Sequence, residues 1–232
     1  MKEPKFYRLF DYNKKLLPNK FLAKLEKRTD SIEDAREQTG LSIGYPGWGI
    51  IYHLLLALLD PDRPNLIIET GTNLGSTAII MAQALKDTGR RGMVHTIEID
   101  QQTHEQAIAR INKAGVGEYV TCHLGSSLDV LPELLDGSSK IRMALLDGDH
   151  SMEAFLKEFE LIHPHLEKTS LVAMDNTYAI AEDDDPPRVF QGLQKIPEIY
   201  GGNLINLPYC SWYTAGMAFW QQEPFDRRAG AE

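Results

Sequence analysis

Cysteine, long apolar runs and positive charge are scarce in this sequence, and each scarcity excludes a class of protein. The 232 residues include two cysteines, Cys122 and Cys210, which are too far apart for a C-x-x-C metal or redox motif. We expect two buried free thiols. The longest apolar run, at 49–59, contains a histidine and is shorter than the roughly 18 to 20 residues that span a bilayer. We therefore expect no integral membrane contact.

Positive charge is outnumbered, because 24 Lys and Arg face 33 Asp and Glu for a formal net charge of -9. Proteins that bind a phosphate backbone ordinarily have the opposite balance, so we expect no nucleic-acid partner. Basic residues exceed acidic ones only in the N-terminal stretch 1–28, where they alternate with aromatic and aliphatic residues. We interpret this stretch as an arm or lid that packs on its own or a neighbouring subunit. The first residues form no charged-apolar-small leader, which favours a soluble, cytoplasmic protein.

Apolar stretches rich in β-branched residues alternate with amphipathic stretches along the middle of the chain. Buried strands are predicted at 65–71, 92–100, 119–125, 141–147 and 170–175. Helices are predicted between them, and fully apolar strands indicate a parallel sheet with helices on both faces. A helix is also predicted at 189–201, and the segments at 203–209 and 214–222 predict an antiparallel closing pair. The fold class is therefore a doubly wound α/β fold.

Polar side chains follow the predicted strands. They are Glu69, Glu98, Asp100, the cluster from Asp147 to His150, Asp175 and Asn176. Because the carboxyl ends of parallel strands meet at one edge, where such sheets bind ligands, we expect these side chains to converge. For Asp147 and Asp149 the alternative is that they cap the following helix while Asp175 faces solvent.

The first strand ends in ETGTNLGST, at 69–77. Gly71 and Gly75 permit unusual dihedral angles or close approach to a ligand, and the helix N-terminus beyond them can bind an anion. The spacing is E-x-G-x-x-x-G, whereas a dinucleotide fingerprint is G-x-G-x-x-G. The leading glutamate suits a ligand with a carboxylate and an amine. The alternative is a tight turn that serves packing alone.

The second strand ends in HTIEID, where an acid can accept hydrogen bonds from both hydroxyls of a ribose. Glu98 and Asp100 are both candidates, and spacing alone does not choose between them. Asp100 is also well placed to cap the next helix.

Five segments together resemble class I S-adenosylmethionine-dependent methyltransferases. They are, in order, IIETGTNLGSTAI, VHTIEID, VTCHLGSSLDVLPEL, MALLDGDHS and VAMDNT. More narrowly, they resemble the divalent-metal-dependent O-methyltransferases of the catechol and caffeoyl-CoA type and their macrolide-sugar and cephalosporin-biosynthesis relatives. The resemblance implies a Rossmann-like, mostly parallel seven-stranded sheet with an antiparallel last strand. It divides the chain into an arm of lid helices at 1–44 and a methyltransferase domain at 45–232.

The resemblance also implies a role for each of several residues. S-adenosylmethionine would be held at its methionine part by Glu69, Gly71, Gly75 and Thr77, with Thr72 and Asn73 in the same loop. Glu98 would hold the ribose, Ser126 and Ser127 would lie at the adenine edge, and Asp149 would face the cofactor.

A metal site is implied as well, with Asp147, Asp175 and Asn176 as ligands. Three hard oxygen donors suit Mg²⁺ or another divalent cation, with waters or substrate in the remaining positions. His150 stands where the macrolide-sugar relatives have histidine and the catechol type has lysine. Those histidine-bearing relatives, however, usually have Glu-Asp where this chain has Asp175 and Asn176. A histidine is largely neutral at pH 7, which suits a catalytic base beside Asp147.

The implied activity is methyl transfer to a hydroxyl of a small molecule such as a sugar, a phenol or a polyketide natural product. Tyr45 and Trp48 are expected beside the pocket mouth, and the aromatic stretch 209–214 is expected near the substrate. The acidic run at 182–185 is interpreted as a solvated loop. We expect a homo-oligomer formed through the N-terminal arm. The alternatives are a biosynthetic protein of the cephalosporin-hydroxylase-named type that binds the cofactor without methyl transfer, and a nucleotide-dependent oxidoreductase.

Overall fold

The computed structural model describes residues 16–177, 188–208, 210 and 216–222. Within them, one sheet has the strand order β3-β2-β1-β4-β5-β7-β6. Its strands are β1 Asn65–Thr70, β2 Gly92–Glu98, β3 Val120–Leu124, β4 Ile141–Leu146, β5 Leu166–Asp175, β6 Asn203–Leu207 and β7 Met217–Gln221. The first five pair in parallel, whereas β7 is antiparallel to both β5 and β6. The predicted mostly parallel seven-stranded sheet with an antiparallel last strand is confirmed.

Helices connect the strands and cover both faces of the sheet. In the described part of the chain they are α1 Lys20–Glu26, α2 Ile32–Thr39, α3 Gly47–Leu58, α4 Ser76–Thr88, α5 Gln101–Lys113, α6 Ser127–Leu134, α7 Met152–Ile162, α8 Val189–Leu193 and α9 Lys195–Tyr200. Short 3₁₀ turns lie at Gly117–Tyr119 and His163–His165. None of the helices in these ranges has the length and apolar character needed to cross a bilayer.

The single helix predicted at 189–201 is instead two short helices. Gln194 ends α8 and also precedes α9. The reason is Pro197, which has no backbone N–H to donate to Leu193 and whose ring would contact that carbonyl in a continuous helix. The prediction of one helix was therefore wrong at its centre.

Two apolar cores lie on opposite faces of the sheet. On one face, α3, α4 and α5 contribute residues such as Trp48, Ile51 and Ile79. On the other, Phe155 and Phe159 of α7 pack with α8, α9 and the opposite side of the same strands. This sandwich of helix, sheet and helix explains why the strands read as continuous apolar runs.

The N-terminal segment contacts its own chain within the described residues. Asn19 caps α1, and its Nδ2 donates to Gln83 Oε1 over 2.9 Å and to the Ala114 carbonyl over 3.2 Å. Leu22 is fully buried, and the Arg110 guanidinium lies 5.6 Å from the centroid of the Phe21 ring. The start of α1 therefore lies against α4 and the end of α5. The first 15 residues of the predicted arm are outside the described ranges.

Both cysteines are free thiols, as expected. Cys210 is buried and Cys122 is half-buried, so the prediction of full burial holds for one of them. Burial raises the thiol pKa to about 12 for Cys210 and about 11 for Cys122. Because the thiolate is the reactive form, neither side chain is set up as a nucleophile.

Candidate active site

A cavity of about 920 Å³ opens at the carboxyl edge of the sheet. Among the residues predicted from the sequence, its lining includes Gly71, Thr72, Asn73, Thr77, Glu98, Ser126, Ser127, Asp147, Asp149, His150, Asp175 and Asn176. Glu69 and Gly75 are the predicted site residues outside this lining. Segments far apart in the chain thus converge here because parallel strands all end at the same edge.

Unusual backbone conformations are concentrated around this cavity. In the described ranges, the non-glycine residues with positive φ are Leu41 at 60°, Asn73 at 48° and Asn176 at 57°, and all three line the cavity. A side chain in this left-handed region costs roughly 1–2 kcal/mol, less for Asn. Asn73 is held there by its Nδ2, which donates to the Gly40 carbonyl over 2.6 Å. Distortion that persists at one cavity indicates a functional surface.

The glycine loop after β1 lies directly against the loop after β4. Gly71 has φ +79°, and a Cβ on it would overlap the carbonyl oxygen of Asp147. Asp147 in turn donates its N–H to the Thr70 carbonyl over 3.2 Å. Gly75, with φ +76°, precedes α4 and faces Ile111 of α5, which is why it does not reach the cavity. Gly71 therefore permits close approach of two backbone segments, whereas Gly75 leaves room for the side chains of α5.

Glu69 is buried beneath this loop. Its Oε2 accepts a 2.5 Å hydrogen bond from Thr96 Oγ1, and 1% of the residue is exposed. Burial raises the pKa of its carboxyl to about 8, and the nearby Asp147 and Glu98 carboxylates add to that rise. The predicted contact with the methionine part of the cofactor stays a prediction.

Glu98 and Asp100 have different surroundings, although their spacing in the sequence could not show which of them faces the ligand. Glu98 lines the cavity, and its carboxylate accepts from the N–H of Asn73 over 2.8 Å and of Asp100 over 3.0 Å. Asp100 caps α5, accepting from the Thr103 N–H over 2.8 Å. The cap interpretation of Asp100 is confirmed, and Glu98 is the acid that faces the cavity.

The cluster after β4 meets the residues after β5. Asn176 Nδ2 donates to Asp147 Oδ1 over 3.2 Å and lies 2.8 Å from His150 Nε2. His150 Nε2 is 3.5 Å from Asp147 Oδ1. Asp175 is 3% exposed. The geometry therefore brings the predicted base and two of the predicted metal ligands within hydrogen-bonding range of one another.

The helix-cap alternative for the acids after β4 is wrong. Ser151 caps α7, accepting from the Ala154 N–H over 3.3 Å, while Asp149 accepts from the Ser151 N–H over 2.8 Å in the preceding turn. Asp175 is buried, not solvated. Across the described ranges, no three His, Cys, Asp or Glu side chains are grouped so that they could hold a metal ion. The predicted ligand set instead has two carboxylates and one amide.

The expected position of Tyr45 and Trp48 at the pocket mouth was wrong. Trp48 is fully buried, and its Nε1 donates to Ser42 Oγ over 3.4 Å. Neither aromatic residue lines the cavity, whose wall on this side comes from Ile32 and Arg36 of α2. α2 falls within the predicted arm of lid helices at 1–44, but the sequence did not single out Ile32 or Arg36 as lining residues. Of the predicted aromatic stretch 209–214, only position 210 is described, and the acidic run 182–185 is outside the described ranges.

Sequence reasoning also missed Glu158. It lies on α7 with 1% exposure and accepts hydrogen bonds from Thr70 Oγ1 over 2.9 Å and Ser127 Oγ over 2.5 Å. Burial raises the pKa of this carboxyl to about 7. The signal was available, because Glu158 falls on the apolar stripe of Phe155 and Phe159, where an acid is out of place.

Comparison with known proteins identifies the family. A methyltransferase-domain family model matches residues 68–177. Catechol O-methyltransferase from Niastella koreensis is 30% identical over 165 residues, which cover 68% of this chain and 70% of that relative. The chain belongs to the class I S-adenosylmethionine-dependent O-methyltransferases. The resemblance seen in the sequence is thereby confirmed.

Solved structures share the fold of this O-methyltransferase. TomG from Streptomyces achromogenes, an O-methyltransferase of tomaymycin synthesis in complex with S-adenosylmethionine, has a TM-score of 0.68 at 22% identity over 88% of this chain and 90% of that one. An O-methyltransferase from Bacillus cereus in complex with S-adenosylhomocysteine has a TM-score of 0.65 at 17% identity over 87% and 91%. At these identities the likeness establishes the fold alone.

Proposed function

We propose that this O-methyltransferase is metal-dependent and methylates a hydroxyl of a small molecule that has two neighbouring oxygens. One observation carries the proposal: Asp147, His150 and Asn176 lie within 3.5 Å of one another in the cavity that the glycine loop also lines. A hydroxyl held there would have a base and an oxygen-rich ligand set on one side and the donor cofactor on the other.

The residues fit a hard divalent cation such as Mg²⁺. Asn176 Nδ2 lies 3.2 Å from Asp147 Oδ1. Asp175, the residue before Asn176, is buried and lines the same cavity. Carboxylate and amide oxygens are the donors that Mg²⁺ takes from proteins. Bound there, the cation would lower the pKa of a chelated hydroxyl and neutralise negative charge.

His150 is the proposed base. Asn176 Nδ2 can only donate, so the 2.8 Å contact favours a neutral imidazole whose Nε2 accepts. In that state Nε2 can take the proton of a substrate hydroxyl in place of the amide's hydrogen. The oxygen would then attack the sulfonium methyl of the cofactor, and much of the rate would come from holding donor and acceptor in line.

The cofactor roles of the remaining lining residues are part of the proposal. Glu98 would accept from the ribose, Ser126 and Ser127 would flank the adenine with Asp149 facing the cofactor, and the loop from Gly71 to Thr77 would hold the methionine part. The helix that begins at Ser76 would add its N–H groups for the cofactor carboxylate.

The proposed acceptor is a sugar, a phenol or a polyketide natural product. Support for a phenol comes from the relative named a catechol O-methyltransferase, and the likeness to TomG of tomaymycin synthesis supports a natural-product acceptor. We extend the proposal to a cytoplasmic homo-oligomer formed through the N-terminal arm.

The cofactor is tested by calorimetric titration of S-adenosylhomocysteine into the purified protein, with NAD titrated under identical conditions. We expect micromolar binding of the first and none of the second. Binding of NAD alone would overturn the assignment of the glycine loop. Binding of S-adenosylhomocysteine without turnover of any acceptor would favour the cofactor-binding protein without methyl transfer.

Metal dependence is tested with catechol as the first acceptor, in Mg²⁺ and in a chelator. We expect turnover to vanish in the chelator and in Asp147→Asn, while Asp129→Asn, which alters an exposed acid of α6, keeps the wild-type rate. Full activity in the chelator would remove the metal from the proposal.

The role of His150 as the base is tested by the pH dependence of the rate. His150→Ala should lose rate at neutral pH and recover part of it at high pH, where the substrate hydroxyl ionises unaided. Identical pH profiles for both proteins would exclude that role.

A further inference from the structure

Glu158 is a buried acid that the proposed chemistry does not use. It lies on α7, where its neighbours Phe155 and Phe159 are in the apolar core, yet its carboxylate reaches the end of β1 and the start of α6. A carboxyl buried among apolar side chains is costly unless its hydrogen bonds are satisfied. Here both oxygens accept hydrogen bonds from hydroxyls, which offset the cost of burying the group.

The first donor connects Glu158 to the β4–α7 loop. Thr70 Oγ1 donates to Glu158 Oε2 over 2.9 Å and itself accepts the Asp147 N–H over 3.2 Å. The same Asp147 N–H lies 3.2 Å from the Thr70 carbonyl. The carboxylate therefore fixes the rotamer of Thr70, and Thr70 fixes the backbone at Asp147.

The second donor connects Glu158 to the β3–α6 loop. Ser127 Oγ donates to Glu158 Oε1 over 2.5 Å, and Ser127 is the first residue of α6 and part of the cavity lining. Gly148 completes the arrangement, since a Cβ on it would lie 2.8 Å from Glu158 Oε1 and 3.3 Å from Thr70. The loop after β4 thus lies directly on this carboxylate.

We infer that Glu158 is a positioning residue that holds the loops after β1, β3 and β4 in register, so that the cofactor edge and Asp147 keep a fixed separation. The inference rests on the proposed function, because it concerns the same cavity. The physical reason is that the hydroxyls of Thr70 and Ser127 both donate to the Glu158 carboxylate. This carboxylate therefore connects the two segments that carry these hydroxyls.

The decisive comparison is between Glu158→Met and Glu158→Gln. Methionine has a similar length and fills the space without replacing the hydrogen bonds that the carboxylate accepts. Glutamine can accept from Thr70 through its oxygen and donate to Ser127 Oγ through its nitrogen. We expect Glu158→Met to raise the Kd for S-adenosylhomocysteine about 10- to 100-fold, the usual effect of removing an orienting partner. Glu158→Gln should stay within about 3-fold of the wild type, because it restores both hydrogen bonds.

Phe159→Leu is the matched control, because it alters the adjacent buried position on α7, whose ring packs against Tyr200 and Trp220. It should lower the thermal midpoint and leave the Kd unchanged. If Glu158→Met binds S-adenosylhomocysteine as tightly as the wild type does, Glu158 only fills space and the inference is wrong. If Glu158→Met and Glu158→Gln lose the same affinity, hydrogen bonding is not the cause and the inference is equally overturned. A wild-type protein that binds no S-adenosylhomocysteine would instead overturn the proposed function.

Discussion

At the level of single residues, the cavity is bordered by acids of two kinds. Asp147, Asp149 and Glu98 line it, whereas Glu69 and Glu158 lie beneath it with 1% exposure each. Burial raises the pKa of both hidden carboxyls, to about 8 and about 7. Burial thus favours the uncharged form of each of these two acids more than solvent would.

Glu69 should make stability depend on pH. Its pKa rises from 4.5 in the unfolded chain to about 8 in the folded protein, so the folded state retains a proton that the unfolded state has released. The stabilising effect is complete below pH 4.5 and is lost as pH rises through 8. Across that window the free energy of unfolding should fall by up to about 1.4 kcal/mol per pH unit.

Urea denaturation at several pH values of the wild type and Glu69→Gln measures this effect. The variant cannot ionise, so its free energy of unfolding should decline less steeply with pH, and the two curves should approach or cross toward high pH. Glu118→Gln, which alters an exposed glutamate, should keep the wild-type slope. Parallel curves for wild type and Glu69→Gln would contradict the raised pKa.

At the level of elements, the site depends on how closely two loops approach. The loop between β1 and α4 and the loop between β4 and α7 meet at Gly71 and Asp147, with no room for a side chain between them. Strand pairing of β1 with β4 sets this distance, since Thr70 is opposite Leu146 in the parallel register. Any side chain at position 71 must therefore separate the ends of two paired strands.

Gly71→Ala and Gly89→Ala form a matched pair that tests this contact. Both glycines have positive φ, +79° and +62°, but a Cβ at Gly89 would meet nothing within 4 Å. Gly89→Ala should therefore cost only the roughly 1–2 kcal/mol of a left-handed side chain and leave binding of S-adenosylhomocysteine intact. Gly71→Ala should cost more stability and abolish binding. Equal losses in urea denaturation and equal Kd values would show that the loops do not depend on this contact.

At the scale of the whole molecule, the proposed homo-oligomer forms through the N-terminal arm. Asn19 and Phe21 hold α1 on α4 and the end of α5 of the same chain. We predict that the 232-residue chain forms a homo-oligomer and that a variant beginning at residue 16 forms an assembly with fewer subunits. Light scattering coupled to size exclusion measures both masses. An unchanged subunit number would exclude the arm as the interface.

Much of the architecture was predictable because it depends on local patterns. The strands β1 to β4 were placed within a few residues by their apolar runs, and α7 by the spacing of Phe155 and Phe159. β5 begins at Leu166, four residues before the predicted start at 170, because its first residues are not an apolar run. Pro197 was visible in the sequence, but its division of α8 from α9 was not anticipated.

The sequence by itself determined which residues reach the carboxyl edge, because a residue that follows a parallel strand has only one edge to reach. That rule placed Glu98, Asp147 and Asn176 at the cavity before any contact was known. Only the tertiary structure decided which polar groups meet. Thr70 and Glu158 are 88 residues apart, and the hydrogen bond between them depends on the packing of α7 against β4, the strand that pairs with β1. Local periodicity carries no information on such a contact, since it gives the face of a helix but not the partner opposite it.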